Sequence, residues 1–384
     1  MRTLAIAAGA FVCLATMSSV ISTVILPRGV RVRTRRVVFL LWRLACRARA
    51  RNASFDRADR IMAKLAPVGL ILLLATWLLL VMLGFLLIFW GLGASWRVAL
   101  VSSGSSLTTL GFSLPAGTPS TVAAVAEAAI GLIIVATLIA YLPSLYTVFS
   151  KREAMVAALE VRADSPPSAV VMLKRLYLIG YLDRLPALFT EWERWFIELE
   201  ESHSSFPFLS FFRSPVPMQS WLTAAGAVLD AASLSASVLD RPPNAEQQLC
   251  IRAGYVALRR IASGFMIPFD PDPQPGDPIC LTREDFDRAC DELEGVGVPL
   301  KADRDQAWRD FAGWRVNYDR VLVGIAAFVM APPAEWSTNL IPRFGRDVPR
   351  PVSLLSRRRY QRSLRKGTPL LPIEQPDGVR GNAL

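Results

Sequence analysis

The sequence predicts an all-α membrane protein: three transmembrane helices plus a short re-entrant helix, followed by a soluble all-α domain. Three observations predict it. Three long runs are almost free of charge. The basic residues gather on either side of these runs and of an acidic region instead of being spread evenly. The second half repeats apolar residues at a spacing near 3.6, with no alternation of Val and Ile that would support a sheet.

The first run, residues 4–26, carries no charge. It meets the length of about 20 residues needed to cross a bilayer as a helix. Only Arg2 precedes it, whereas Arg28, Arg31, Arg33, Arg35 and Arg36 follow it, the reverse of the charge order of a secretory signal. The expectation is a retained helix with its N-terminus outside. Residues 27–64 hold twelve basic residues against Asp56 and Asp59, a net charge of +10. By the positive-inside rule this linker is cytoplasmic. Within it, residues 37–46 read VVFLLWRLAC between flanking arginines. Two readings stand side by side: an amphipathic helix on the inner leaflet, or a basic linker that only fixes topology.

The second run, residues 67–93, is rich in Leu, and from Leu70 to Leu87 only Thr76 is polar. A buried helix in a large soluble core is the alternative reading, and the long Leu-rich stretch favours a membrane span. The third run, residues 122–149, is interrupted only by Glu127. With the linker inside, the second span runs outward and the third returns, leaving residues 94–121 on the outer face. Arg97 is the only charge there, and Trp90 and Trp96 fall where an aromatic belt is expected. The first 64 residues thus form one segment, residues 65–149 a second, residues 150–342 a cytoplasmic helical domain and residues 343–384 a basic disordered tail.

The outer loop reads ASWRVALVSSGSSLTTLGFSLPAGTPST. Residues 96–107 are long enough for a helix that dips partway into the membrane, and the Pro- and Gly-rich end must be extended or turned. Irregular backbone at membrane depth is tolerated where it lines a water-filled path. Thr108, Thr109, Leu110, Gly111 and Phe112 lie at that depth.

The order of span, short helix, TTLGF and span resembles the pore module of the potassium-channel superfamily, whose signature is Thr-Thr-Val-Gly-Tyr-Gly-Asp. Thr108, Thr109, Leu110, Gly111 and Phe112 correspond to its first five positions, with Leu for Val and Phe for Tyr as substitutions the wider family uses, while Ser113 and Leu114 stand at the last Gly and the Asp. The resemblance implies a selectivity filter at Thr108–Ser113, whose carbonyls replace the hydration shell of the ion. It further implies a homotetramer, K+ or another monovalent cation as permeant species, and an inner helix at residues 122–149. Gly131 falls near a family hinge position, and Pro143 lies where a missing N–H would kink the inner helix. Both are also ordinary in membrane helices. Glu127 either attracts cations at the outer vestibule or hydrogen-bonds behind the filter, with the second preferred as filter support.

The cytoplasmic region carries amphipathic stretches at residues 186–201, 219–240, 245–265 and 303–330, and Thr282 followed by Glu284 and Asp285 reads as an N-cap. Loops are expected at residues 202–217, 268–278 and 296–301. No GxGxxG, P-loop, GxSxG or HExxH occurs, so no enzymatic activity and no cofactor are expected. The five cysteines form no CxxC pair and His203 is the single histidine, so no metal site is expected. Asp270, Asp272 and Asp277 lack EF-hand spacing. The tail from Arg343 carries ten basic and three acidic residues. It suits the anionic inner leaflet or the acidic domain rather than nucleic acid.

The function expected is a potassium or less selective cation channel subunit in the cell membrane, regulated or assembled by its helical domain. The alternative is a non-conducting membrane-anchored sensor or scaffold with a decayed channel module.

Overall fold

A computed structural model describes residues 1–24, 44, 48, 55–113, 115–242 and 244–341. Most of the basic linker, with its candidate amphipathic stretch, lies outside those residues, as do Leu114 and the tail. Among the described residues every element is helical, and the only pairing of extended backbone is one bridge between Leu239 and Leu300.

The chain divides into two units. Met1–Lys151 and Ser202–Arg213 form the first; Arg152–Glu201 and Ser214–Leu384 form the second. The second unit begins at Arg152, and residues 202–213, which fall within the expected cytoplasmic domain, belong to the first.

The first unit begins with α1 (Arg2–Val24), followed by α2 (Phe55–Ala63) and α3 (Leu65–Gly91). α1 and α3 pack closely along their length because small residues meet. A Cβ at Gly9 would lie 2.4 Å from the Gly84 carbonyl oxygen, and one at Gly84 would lie 2.5 Å from Cys13 Sγ. A Cβ at Gly91 would meet Ile6 and the Arg2 carbonyl. Further along, the Trp77 indole N–H donates to Ser19 Oγ at 3.0 Å. Contacts that rise along one helix as they fall along the other make the pair antiparallel. Close backbone approach through glycine is the usual way apolar helices associate without a hydrophobic driving force.

Next come α4 (Trp96–Leu107) and the long α5 (Thr118–Ala163). Ser95 caps α4 by accepting the Val98 N–H, and Trp96 stacks on Trp90 at 5.3 Å. α5 has 46 residues and continues through Pro143 without a break, from the first unit into the second. The expected third span is therefore only the first part of a helix of about 69 Å. The core of the first unit gathers Leu73, Trp77, Val81 and Phe89 of α3, Ile134 and Tyr141 of α5, and Phe208 and Leu209.

The second unit contains the rest of α5, then α6 (Ala169–Leu178), α7 (Leu185–Ser205, its last turn in the first unit), α8 (Trp221–Val238), α9 (Ala245–Phe265), α10 (Arg283–Glu294), α11 (Arg304–Arg315) and α12 (Asp319–Val329). α8 is its centre, packed by α6, α9, α11 and α12. Among the described residues four helices are long and apolar enough to cross a membrane, and α8 is the fourth. Nearly all of α8 is buried inside the unit, so its apolarity on every side is that of a core helix.

Thr282 forms a full capping box with Asp285, as the sequence predicts, and α10 ends at Gly295. The single helix expected at residues 303–330 is instead two. The Asn317 side chain donates to the carbonyls of Gly313 and Trp314, giving the backbone a local competitor where the helix breaks.

Candidate functional site

The residues singled out in the sequence lie where α4 hands over to α5. α4 ends in a Schellman motif. The Thr109 N–H donates to the Ser106 carbonyl at 3.0 Å, and the Leu110 N–H to the Ser105 carbonyl at 3.0 Å. Thr109 takes the left-handed conformation this motif needs, with φ of 56°, although glycine normally serves there. Gly111 follows with φ of 70°. Thr108 is right-handed, and neither Leu110 nor Phe112 has positive φ. The sign of φ therefore alternates from Thr108 to Gly111.

This stretch is exposed from Thr108 to Phe112, and Leu110 and Phe112 present 69% and 64% of their surface. It also sits at the C-terminal end of α4. Helix carbonyls there carry partial negative charge, which favours a cation. Two hydroxyls add to the local hydrogen bonding: Thr108 Oγ1 donates to the Gly104 carbonyl at 2.6 Å, and Thr109 Oγ1 to the Thr108 carbonyl at 2.7 Å.

Ser113 has no positive φ. It is tied to α4. Its N–H donates to Ser105 Oγ at 3.1 Å, and its hydroxyl pairs with Ser102 Oγ at 3.3 Å. Ser102 and Ser105 are both buried. They lie three residues apart and so share one face of α4. Sequence reasoning missed them; their signal was the run Ser102-Ser103-Gly104-Ser105-Ser106 in an otherwise apolar helix.

Glu127 is fully buried on α5. Its Oε1 lies 2.5 Å from Ser103 Oγ, and Ser103 Oγ also lies 3.0 Å from the Met82 carbonyl of α3. Glu127 thus contacts the body of α4 rather than the TTLGF segment. Gly131, one turn on, faces the end of α4: a Cβ there would be 2.9 Å from the Leu107 carbonyl oxygen. Its lack of a side chain lets α5 approach the residue preceding Thr108. Pro143 lies mid-helix, and its carbonyl accepts from Thr147 Oγ1 at 2.9 Å. The structure brings Glu127 and Gly131 to α4; Pro143 lies about 18 Å further along α5 from Gly131.

A second polar cluster lies inside the second unit. The buried Arg315 guanidinium donates to Asp230, to Asp319 at 2.8 Å and to the Trp336 carbonyl at 2.5 Å. Tyr318 donates to Asp230 at 2.8 Å and meets Ser233 at 3.0 Å. Burial works against the Arg315 charge, but Asp230 and Asp319 more than offset it and hold its pKa above the ordinary arginine value. Burial, then the Asp230 charge, pushes the Tyr318 phenol up. Burial and the neighbouring Asp319 likewise raise the Cys280 thiol, which donates to that carboxylate. A neutral thiol is a poor nucleophile. Each charge here faces an opposite charge, as in a structural lock.

The acidic loop is closed on itself: Asp270 accepts from the Asp272 N–H at 2.9 Å and Asp277 from the Gln274 N–H at 2.8 Å. Among the described residues no group of three or more His, Cys, Asp or Glu is placed to hold a metal ion. His203 is buried beside Ser202. No protein family, curated protein or solved structure matches this chain.

Proposed function

We propose that the chain is a cation-channel subunit embedded in a membrane. The observation that carries this reading is the exposed backbone of Thr108–Gly111, with positive φ at Thr109 and Gly111, at the electronegative end of α4, between two long apolar helices. A ring of such segments would present carbonyls to a dehydrated monovalent cation such as K+.

The surface of the first unit supports the membrane setting. Phe11 and Leu14 of α1, Ile71 and Leu79 of α3, and Val125, Leu132 and Ile139 of α5 are all exposed. Apolar helix faces this extensive need lipid or other subunits. The antiparallel α1 and α3, joined through the basic linker, fit a multi-pass arrangement with the linker inside and the α3–α5 loop outside. Basic segments would then meet anionic lipid.

One chain supplies one loop, so a pore requires several, and four copies are proposed by the family resemblance. Native mass measurement of the detergent-solubilised complex tests this. Four subunits are expected; a monomer would remove the basis for a pore.

A further inference from the structure

Ser103 has one hydroxyl proton and two acceptors within reach. One is Glu127 Oε1 at 2.5 Å and the other the Met82 carbonyl at 3.0 Å. It can donate to only one of them. If it donates to a Glu127 carboxylate, the second carboxylate oxygen, Oε2, is left as a buried anionic atom with no hydrogen-bond partner. Among the described residues no ion pair reaches it, and the titratable group facing it from α1 is Cys13, which supplies no positive charge. α4 brings it Ser103, which also reaches the Met82 carbonyl of α3. An unpaired buried carboxylate in an apolar helix bundle is far more costly than a neutral acid. If Glu127 instead carries a proton, it donates to Ser103, and Ser103 donates to Met82. Both contacts are then used and no buried charge remains.

We infer that Glu127 is a neutral carboxylic acid whose proton begins a relay through Ser103 to the Met82 carbonyl, positioning α4 between α3 and α5. Glu127 is a positioning residue: it fixes the helix that presents Thr108–Ser113 and does not touch the permeating ion. The inference deepens the proposed pore, resting on its membrane setting, but does not depend on conduction.

Infrared spectra of the full chain in detergent at neutral pH test it. A carbonyl band of a protonated carboxylic acid is expected, absent in Glu127→Gln and shifted to higher frequency in Ser103→Ala, where the acid loses its acceptor. Glu127→Gln keeps a donor toward Ser103, so its thermal midpoint should match the wild type, while Glu127→Leu lowers it. A wild-type spectrum without an acid band, or with one unchanged in both Glu127→Gln and Ser103→Ala, would overturn the inference. Should Glu127→Gln fail to fold, the Ser103→Ala shift decides alone. An acid band with these shifts in a protein that passes no ions would leave this inference standing and sink the pore reading alone.

Discussion

Replacing Gly131 by alanine distinguishes a packing glycine from a free hinge by the sign of its effect. A Cβ at residue 131 would lie 2.9 Å from both the carbonyl oxygen and Cδ1 of Leu107, the last residue of α4. A rotamer change moves Cδ1 but not the carbonyl, so α4 and α5 must separate. Overpacking of this kind costs about 1–3 kcal/mol. In an uncrowded helix the same change would stabilise the fold by about 1 kcal/mol through helix propensity. The balance is a destabilisation of up to about 2 kcal/mol, with α4 displaced at the residue preceding Thr108. Thermal unfolding of the solubilised chain reads the stability, and cation flux in liposomes reads the displacement. Both should fall. Adding Leu107→Ala relieves the Cδ1 contact but not the oxygen, so recovery should be partial. An unchanged or raised midpoint in Gly131→Ala would refute the packing role and leave the hinge.

Three further outcomes are expected. Arg315→Met leaves Asp230 and Asp319 buried without their cation and should cost about 3–5 kcal/mol, a large share of roughly 5–15 kcal/mol for a typical domain; denaturant unfolding followed by tryptophan fluorescence measures it, and a loss below about 1 kcal/mol would contradict the lock. Gly84→Leu drives a side chain into Cys13 and the Gly9 carbonyl. It should therefore abolish thiol cross-linking between Ser19→Cys and Trp77→Cys, which the wild-type pairing of these helices permits; persistent cross-linking would show α1 seated by other contacts. Ser105→Ala removes the acceptor of the Ser113 N–H, at about 1 kcal/mol, and should lower the ratio of K+ to Na+ permeability more than it lowers thermal stability. Equal selectivity in mutant and wild type would show that this bond does not shape the segment.

Much of the helical layout was legible because apolar runs and 3.6-residue spacing are local signals. The limits of α4 and α9 and the Thr282 cap were readable from sequence for that reason. The break at Asn317 was not, because it depends on a side chain competing with its own helix. α8 shows the limit of composition: an apolar helix reads alike in a bilayer and in a protein core, and only its neighbours decide. At the site, Gly111 was recognisable by residue type. The roles of Ser102, Ser105 and Gly131 were hidden, since each depends on which residue of another segment comes within 3–4 Å. The hydroxyl and N–H of Ser113 likewise reach α4 in a way that spacing alone does not reveal.

Potassium flux into liposomes holding the purified full chain tests the pore most directly, read beside Gly111→Ala. Nothing lies within 4 Å of a Cβ at Gly111, so that variant meets no clash and perturbs only a backbone held at φ of 70°. The left-handed conformation costs an alanine about 1–2 kcal/mol, enough to redirect the peptide groups around it. Flux in the wild type and its loss in a folded Gly111→Ala are expected. No flux in the wild type, or equal flux in both, would contradict a carbonyl-lined path through Thr108–Ser113.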